Sequence, residues 1–461
     1  MSIIETFIVP HPPLIIPKIG GGQEIKIQKT IDAYEKIARK IAEIKPDTIV
    51  LTTPHSIMYS DYIHISPGKE AKGNFSEFGQ EKVGMEVEYD VDFVQQLSKL
   101  AEENNIPAGT LGEKNKSLDH GTMVPLYFVN KYFNDYKLVR ISISGLSYID
   151  HYSLGKCIKE AADNSGKKVV FIASGDLSHM LKEEGPYGYK EEGVIFDREV
   201  TSAMKKGNFL EFLKFDEEFC ESAAECGLRS FIIMAGALDG KSVKSEFLSY
   251  EGPFGVGYAV SAYTVTGDDE QRHFDEVYET NEQMRLDTLK KEEDSYVRLA
   301  RQTLESYVLN HKKVKNNHNL DADLLEKCAG VFVSLKLDGK LRGCIGTISP
   351  TTDCIADEII QNAISAGTED PRFYPVGEEE LSRIIYSVDV LEDAEPIESM
   401  DELDTVRYGV IVTKGNRRGL LLPNLEGVNT PEEQVSIALK KAGISINEKY
   451  TMERFEVVRH K

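Results

Sequence analysis

Val169-Val170-Phe171-Ile172-Ala173-Ser174-Gly175-Asp176-Leu177-Ser178-His179 is a short apolar run that breaks at a glycine into a turn carrying a histidine. Two other segments repeat the pattern: Phe7-Ile8-Val9-Pro10-His11 and Thr48-Ile49-Val50-Leu51-Thr52-Thr53-Pro54-His55. Continuous β-branched runs without polar alternation read as strands buried on both faces, the kind found in parallel sheets. In open α/β sheets the ligand site collects in the loops beyond the carboxyl ends of the strands. Histidines delivered repeatedly to such loops point to one metal or one substrate.

Between these strands the spacing turns helical. From Gln23 to Ile44, the residues Ile27, Ile31, Tyr34, Ile37, Ile41 and Ile44 recur at three and four, the apolar stripe of a helix. Val91 to Glu103 repeats it through Val94, Leu97 and Ala101, while Lys137 to Ser144 is strand-like. Residues 1–267 therefore read as an α/β domain, a mainly parallel or mixed sheet flanked by helices.

From Asp268 to Asp294 the chain is rich in Asp, Glu, Gln and Arg, with no Gly or Pro. It reads as a solvated connection, the linker proper being 268–289, that leads into a helix carrying Tyr296, Leu299, Ala300, Leu304 and Tyr307. That helix opens a smaller α+β domain over 290–461. Val331 to Leu337 and Lys340 to Ile348 flank Asp338-Gly339, a pair suited to a two-residue hairpin turn. Tyr408 to Thr413 and Arg417 to Leu422 read as a second hairpin, with helices at about Asp353 to Ala366 and Pro431 to Ala442.

A chain of 461 residues should hold two or three domains, at about 100 to 200 residues each. A formal charge of −22 speaks against a nucleic-acid surface, which needs clustered cations; Lys312-Lys313-Val314-Lys315 reads as a solvated loop. The sequence contains no run of about 18 apolar residues of the kind that crosses a membrane, and Met1 to Thr6 lacks the basic segment and apolar core of an export signal. A cytoplasmic setting is the default expectation. The six cysteines form no CxxC pair and are expected to be reduced thiols.

Two histidines and one carboxylate can hold a ferrous ion while leaving positions open to substrate and dioxygen. His11 and His55, each after a strand and beside a proline, are the natural nitrogen donors. Asp119-His120-Gly121 and Ser174 to His179 bring two further histidines in Gly-containing turns, suited to proton transfer near neutrality. Any one of them alone would read as a polar turn residue; four in one domain exceed what packing asks for. Ile19-Gly20-Gly21-Gly22 reads as a helix entry rather than an anion cradle. His64, His151, His273, His311, His318 and His460 read as packing or surface residues.

In the second domain, Leu341-Arg342-Gly343-Cys344-Ile345-Gly346-Thr347 sets a cysteine between two glycines in a strand, a mark of close backbone approach. Arg342 beside it would lower the thiol pKa; the plainer reading is a small buried thiol.

Pro10-His11-Pro12-Pro13, Pro54-His55-Ser56, Asp119-His120-Gly121 with Pro125-Leu126, and Ser174-Gly175-Asp176-Leu177-Ser178-His179 resemble the class III extradiol dioxygenases, whose catalytic subunits use Fe(II) to cleave catechol rings. The resemblance implies His11 and His55 as iron ligands, His179 as acid/base and His120 as a contact to substrate or oxygen. It implies a small aromatic substrate and dioxygen as reactants. A third ligand would precede the apolar helix Ser230 to Leu238; within Glu221 to Gly227 the preference is Glu225, with Glu221 one helical turn earlier. Cys226 stays open because the Memo family, a relative, has a Cys-Gly-Arg segment near this point. A carboxylate favours iron, a thiolate softer metals such as copper or zinc.

The Cys344 segment, with Asp370-Pro371-Arg372-Phe373, Tyr386 to Leu391 and Arg418-Gly419-Leu420-Leu421-Leu422-Pro423, resembles the AMMECR family over residues 290–461. Its members occur with Memo-like and radical S-adenosylmethionine proteins, which implies such a protein as a partner. Beside the dioxygenase reading stand two others: a metal- or small-molecule-binding partner protein without ring cleavage, and a zinc-dependent hydrolase, since two His and one Glu also hold catalytic zinc. Oligomeric state is left open.

Overall fold

The three histidine-bearing runs are adjacent strands of one sheet. In a computed structural model that describes residues 3–114, 117–314, 320–425 and 427–461, Thr48–Thr53, Val169–Ser174 and Ile3–Val9 lie side by side and parallel. Lys137–Ser142 adds a fourth parallel strand beyond Thr48–Thr53, and Tyr258–Asp268 and Lys241–Glu251 extend the other edge antiparallel. The sheet is thus mixed, with its parallel part carrying the histidines. Lys315 and His318 lie outside the described residues.

Strand alternation splits the interior into two layers. Phe7, Val9, Ile49, Leu51, Val170 and Ile172 face one side, where helices Gln28–Ile44 and His120–Val129 pack. Ile8, Val50, Phe171 and Ala173 face the other, covered by helices Val91–Glu103, Tyr148–Ser165 and Leu228–Ala237. Both faces are buried, so the strands read as continuous apolar runs. Tyr148–Ser165 and Leu228–Ala237 meet at glycines: a Cβ at Gly236 would stand 2.0 Å from the Tyr152 carbonyl oxygen and one at Gly155 2.2 Å from that of Ile233.

The chain divides into two compact units, Met1–Thr280 and Asn281–Lys461. The stretch expected to be a solvated connection is mostly helix, Phe274–Glu292. Its first turn carries Asp275 and Glu276 and its last Lys290 and Lys291, matching the helix dipole. Side-chain pairs Glu282 with Arg285 and Gln283 with Asp287 line its surface. A polar segment free of Gly and Pro is helix-competent, which its lack of apolar periodicity hid.

In the second unit, Val331–Leu337 and Lys340–Gly346 pair around Asp338-Gly339, both at positive φ as the turn requires. They join Ile384–Leu391 and Val457–His460 in a four-stranded antiparallel sheet. Helices Ser295–Asn310 and Ile355–Thr368 share its core. A second four-stranded sheet holds the hairpin Gly409–Lys414 and Arg417–Leu421 with Thr451–Phe455 and Glu395–Ile397, packed against Pro431–Ala442. Among the described residues no helix is long and apolar enough to cross a membrane.

Candidate metal centre

His11 emerges from the carboxyl end of Ile3–Val9 and is buried. Its loop is pinned by Tyr34, whose hydroxyl donates to the Pro10 carbonyl. The His11 backbone N–H donates to Asp176 Oδ1 at 2.7 Å, tying the first strand's loop to the third's. Its Nδ1 lies 2.9 Å from Ser174 Oγ, and that hydroxyl donates its one proton to the Gly121 carbonyl at 2.6 Å. Ser174 therefore accepts from His11 Nδ1–H, which leaves the ring's lone pair on Nε2.

His11 Nε2 faces His55 Nε2 at 2.9 Å and Cys226 Sγ at 3.6 Å. Ligand atoms of His11, His55 and Cys226 all lie within 4.8 Å of one another. The other two histidines close round them. His120, first residue of helix His120–Val129, sets its ring centroid 4.0 Å from that of His55 and 5.5 Å from that of His11. Asp119 caps that helix, accepting from the Thr122 N–H, and also accepts from the Thr53 hydroxyl at the end of the strand that leads to His55. The charge of His179 acts on both His11 and His55, and its Nδ1 is buried without a partner among the described residues.

Burial sets the protonation. His11 is held well below the usual histidine range by burial and by His55, His120 and His179. His55 falls to about 4 through burial and His120, with Asp119 opposing. Burial also lowers His120 and His179. The imidazoles are thus neutral near pH 7, the form in which they bind metals and accept protons. Burial pushes the Cys226 thiol well up, with Asp176 and Glu225 adding to it, so metal binding there would have to release its proton. Burial likewise carries the Asp176 carboxyl up to about 7; this group lies 3.9 Å from His11 Nε2.

Of the three donors named for the third position, the structure brings Cys226 to the histidines. The preferred Glu225 turns elsewhere: its Oε2 accepts from the Leu228 N–H at 2.7 Å, in the first turn of Leu228–Ala237, beside the charge of Arg229. Glu221 is exposed. Ala224, at φ 51°, reverses the chain just before them. Gly175 and Gly227 then let the two segments touch: a Cβ on Gly175 would stand 2.1 Å from Gly227 Cα. That crossing sets Cys226 beside Asp176, whose backbone N–H donates to Sγ at 3.4 Å.

Sequence alone does not mark Ser174, Asp176, Tyr187 or Phe78 as site residues. Ser174 and Asp176 lay within the histidine motif, and their roles depend on a neighbouring strand. Tyr187 stands edge-on to His179 at 5.2 Å and Phe78 to His120 at 5.3 Å, 60% and 37% exposed, giving the histidines an aromatic border. Gly21 and Gly22, at φ 56° and 97°, form the turn between two short helices, and the Gly22 N–H is taken by Glu24 Oε2. His151, His273 and His460 bond Ser147, Asp239 and Asp294 respectively.

Ser174→Ala removes the acceptor that fixes the His11 tautomer. Such outer-shell losses typically cost about 10- to 100-fold in metal affinity. We expect that loss in a metal titration, with an unchanged circular dichroism spectrum.

The fold and the histidine cluster define the class. Residues 5–261 match the family model described as the catalytic LigB subunit of aromatic ring-opening dioxygenase, and 297–460 match AMMECR1. The chain belongs to the LigB family and carries an AMMECR1 region after it. It is similar to Protein CA_C1420 of Clostridium acetobutylicum, 45% identical across 100% of both chains. A Thermotoga maritima protein is 48% identical over 37% of this chain and 98% of its own. The 2-aminophenol 1,6-dioxygenase beta subunit of a Pseudomonas species is 27% identical over 56% of this chain and 93% of its own.

Proposed function

We propose that the first unit is a non-haem iron-dependent dioxygenase-like enzyme acting on a catechol-like or related aromatic substrate. The observation that carries this is the convergence of four histidines, His11 buried and the other three open to solvent, around the carboxyl ends of adjacent parallel strands, with two Nε2 atoms 2.9 Å apart. His11 and His55 would hold the metal, with Cys226 the donor nearest them. A bound ferrous ion would supply open coordination positions for a chelating aromatic and dioxygen. The chain's own residues do the rest.

His179 is favoured in its neutral form, and its ring stands close enough to His11 and His55 to act on both, so it would accept the proton of a substrate hydroxyl and return it. Tyr187 and Phe78 flank a flat ring and limit water around it. Ser174 and Asp176 keep His11 in place. The relative that acts on 2-aminophenol makes aminophenols, beside catechols, the first substrates to try.

Because burial favours the neutral form of His179, the acid limb of turnover should lie below pH 6.5, the ordinary histidine value. A profile of kcat/KM against pH checks this; a limb above that value contradicts it.

Cys226 favours a second reading. A thiol where a carboxylate was expected suits softer metals, and then the first unit is a zinc-dependent hydrolase or a metal-binding partner in a modification system with a radical S-adenosylmethionine protein. Anaerobic purification with metal analysis, followed by oxygen uptake on catechols and aminophenols, separates the readings.

A further inference from the structure

A second chemical cluster lies in the AMMECR1 region, around Cys344. Its strand, Lys340–Gly346, is the edge of its sheet. Gly343 faces helix Ile355–Thr368 so closely that a Cβ would stand 2.1 Å from the Ala366 carbonyl oxygen. Strand alternation therefore turns Cys344 to the opposite face. There its Sγ accepts from the Ser334 hydroxyl at 3.2 Å.

The edge is covered by side chains instead of another strand. The Cys344 N–H donates to Asp370 Oδ2 at 2.9 Å, and Arg372 Nη2 donates to the Cys344 carbonyl at 3.3 Å. Arg342, expected from sequence to act on the thiol, pairs with Glu380 at 2.7 Å, and the guanidinium that acts on it is that of Arg372. Burial, the larger effect, raises the thiol pKa instead of lowering it.

Three cations from separate elements lie within electrostatic range of this thiol, with Asp370 and Asp389 opposing them. Arg372 comes from the loop after Ile355–Thr368, Arg459 from strand Val457–His460 and Lys441 from the last turn of Pro431–Ala442; each interacts electrostatically with Cys344. Asp370 and Asp389 neutralise the two arginines through paired hydrogen bonds from Nε and Nη2. Each guanidinium keeps Nη1 without a protein partner among the described residues, and Lys441 has no ion pair among them. The cluster thus keeps one unmatched positive charge and the Nη1 donors of two arginines around a hydroxyl and a thiol. Guanidinium and ammonium N–H donors suit planar or tetrahedral oxyanions.

We propose that Arg372, Arg459 and Lys441 form a binding site for a small ligand bearing an oxyanion, with the Cys344 thiol facing it. This site is built from residues of the second unit alone and uses none of the residues of the histidine cluster.

Alkylation of the full chain tests it, using anionic iodoacetate and neutral iodoacetamide and peptide mapping of each cysteine. Exposed Cys328 serves as the internal reference. Focusing of an anion by the cations should raise the iodoacetate-to-iodoacetamide rate ratio at Cys344 roughly tenfold over that at Cys328. Lys441→Gln should remove most of that preference and Lys441→Glu reverse it; Lys441 is exposed near a helix end, so folding is not at stake. Inorganic phosphate or malonate, at ionic strength matched with chloride, should slow Cys344 alkylation. Protection by phosphate alone marks a phosphoryl ligand, and protection by malonate alone a carboxylate. Equal ratios at the two cysteines, a preference indifferent to Lys441, no modification of Cys344, or no protection by either anion would each overturn the proposal.

Discussion

His11→Ala is expected to lose bound metal to background and all oxygen-dependent turnover with it. Its Nε2 is the atom on which the cluster closes, 2.9 Å from His55 Nε2 and 3.6 Å from Cys226 Sγ. The tie from this loop to Asp176 is made by the backbone N–H and survives the substitution. The fold should therefore persist, so metal loss with a native circular dichroism spectrum is the signature. Metal analysis of anaerobically purified variant and parent reads it directly.

His179→Ala is expected to behave differently. It removes the proton acceptor while leaving His11, His55 and Cys226 together, so metal content should match the parent. Turnover should fall by about a hundredfold to ten-thousandfold, the usual contribution of a positioned acid/base. Oxygen uptake and metal content measured on one sample distinguish the two variants. Equal metal retention in both would contradict the division of roles between them.

The histidine site was legible because its signals are local. Each strand announces itself by an apolar run, each loop by a Pro or Gly, and parallel neighbours bring their carboxyl ends together. Which side chain of the Glu221 to Gly227 segment turns to the histidines was not legible. Glu225 and Cys226 are adjacent, and which of them faces His11 is decided by the reversal at Ala224 and the contact of Gly175 with Gly227, 52 residues apart in sequence. Sequence spacing carries no trace of such a crossing.

Arg342 illustrates the same limit in the second unit. Two residues from Cys344 along the strand, it is drawn off by Glu380, while Arg372 reaches the thiol's backbone from a loop after the next helix. The connecting helix Phe274–Glu292 was missed for another reason: its stability rests on charge placement and side-chain pairs, which leave no apolar stripe to read.

The first unit is proposed to hold an iron-dependent oxygenase-type site at the carboxyl ends of its parallel strands. The most direct measurement is iron content after anaerobic purification, combined with oxygen uptake by the same sample on catechols and aminophenols. Stoichiometric iron with substrate-dependent oxygen consumption is the predicted result. An iron-replete protein inert towards every diol and aminophenol, or one that selects zinc over iron, would contradict it.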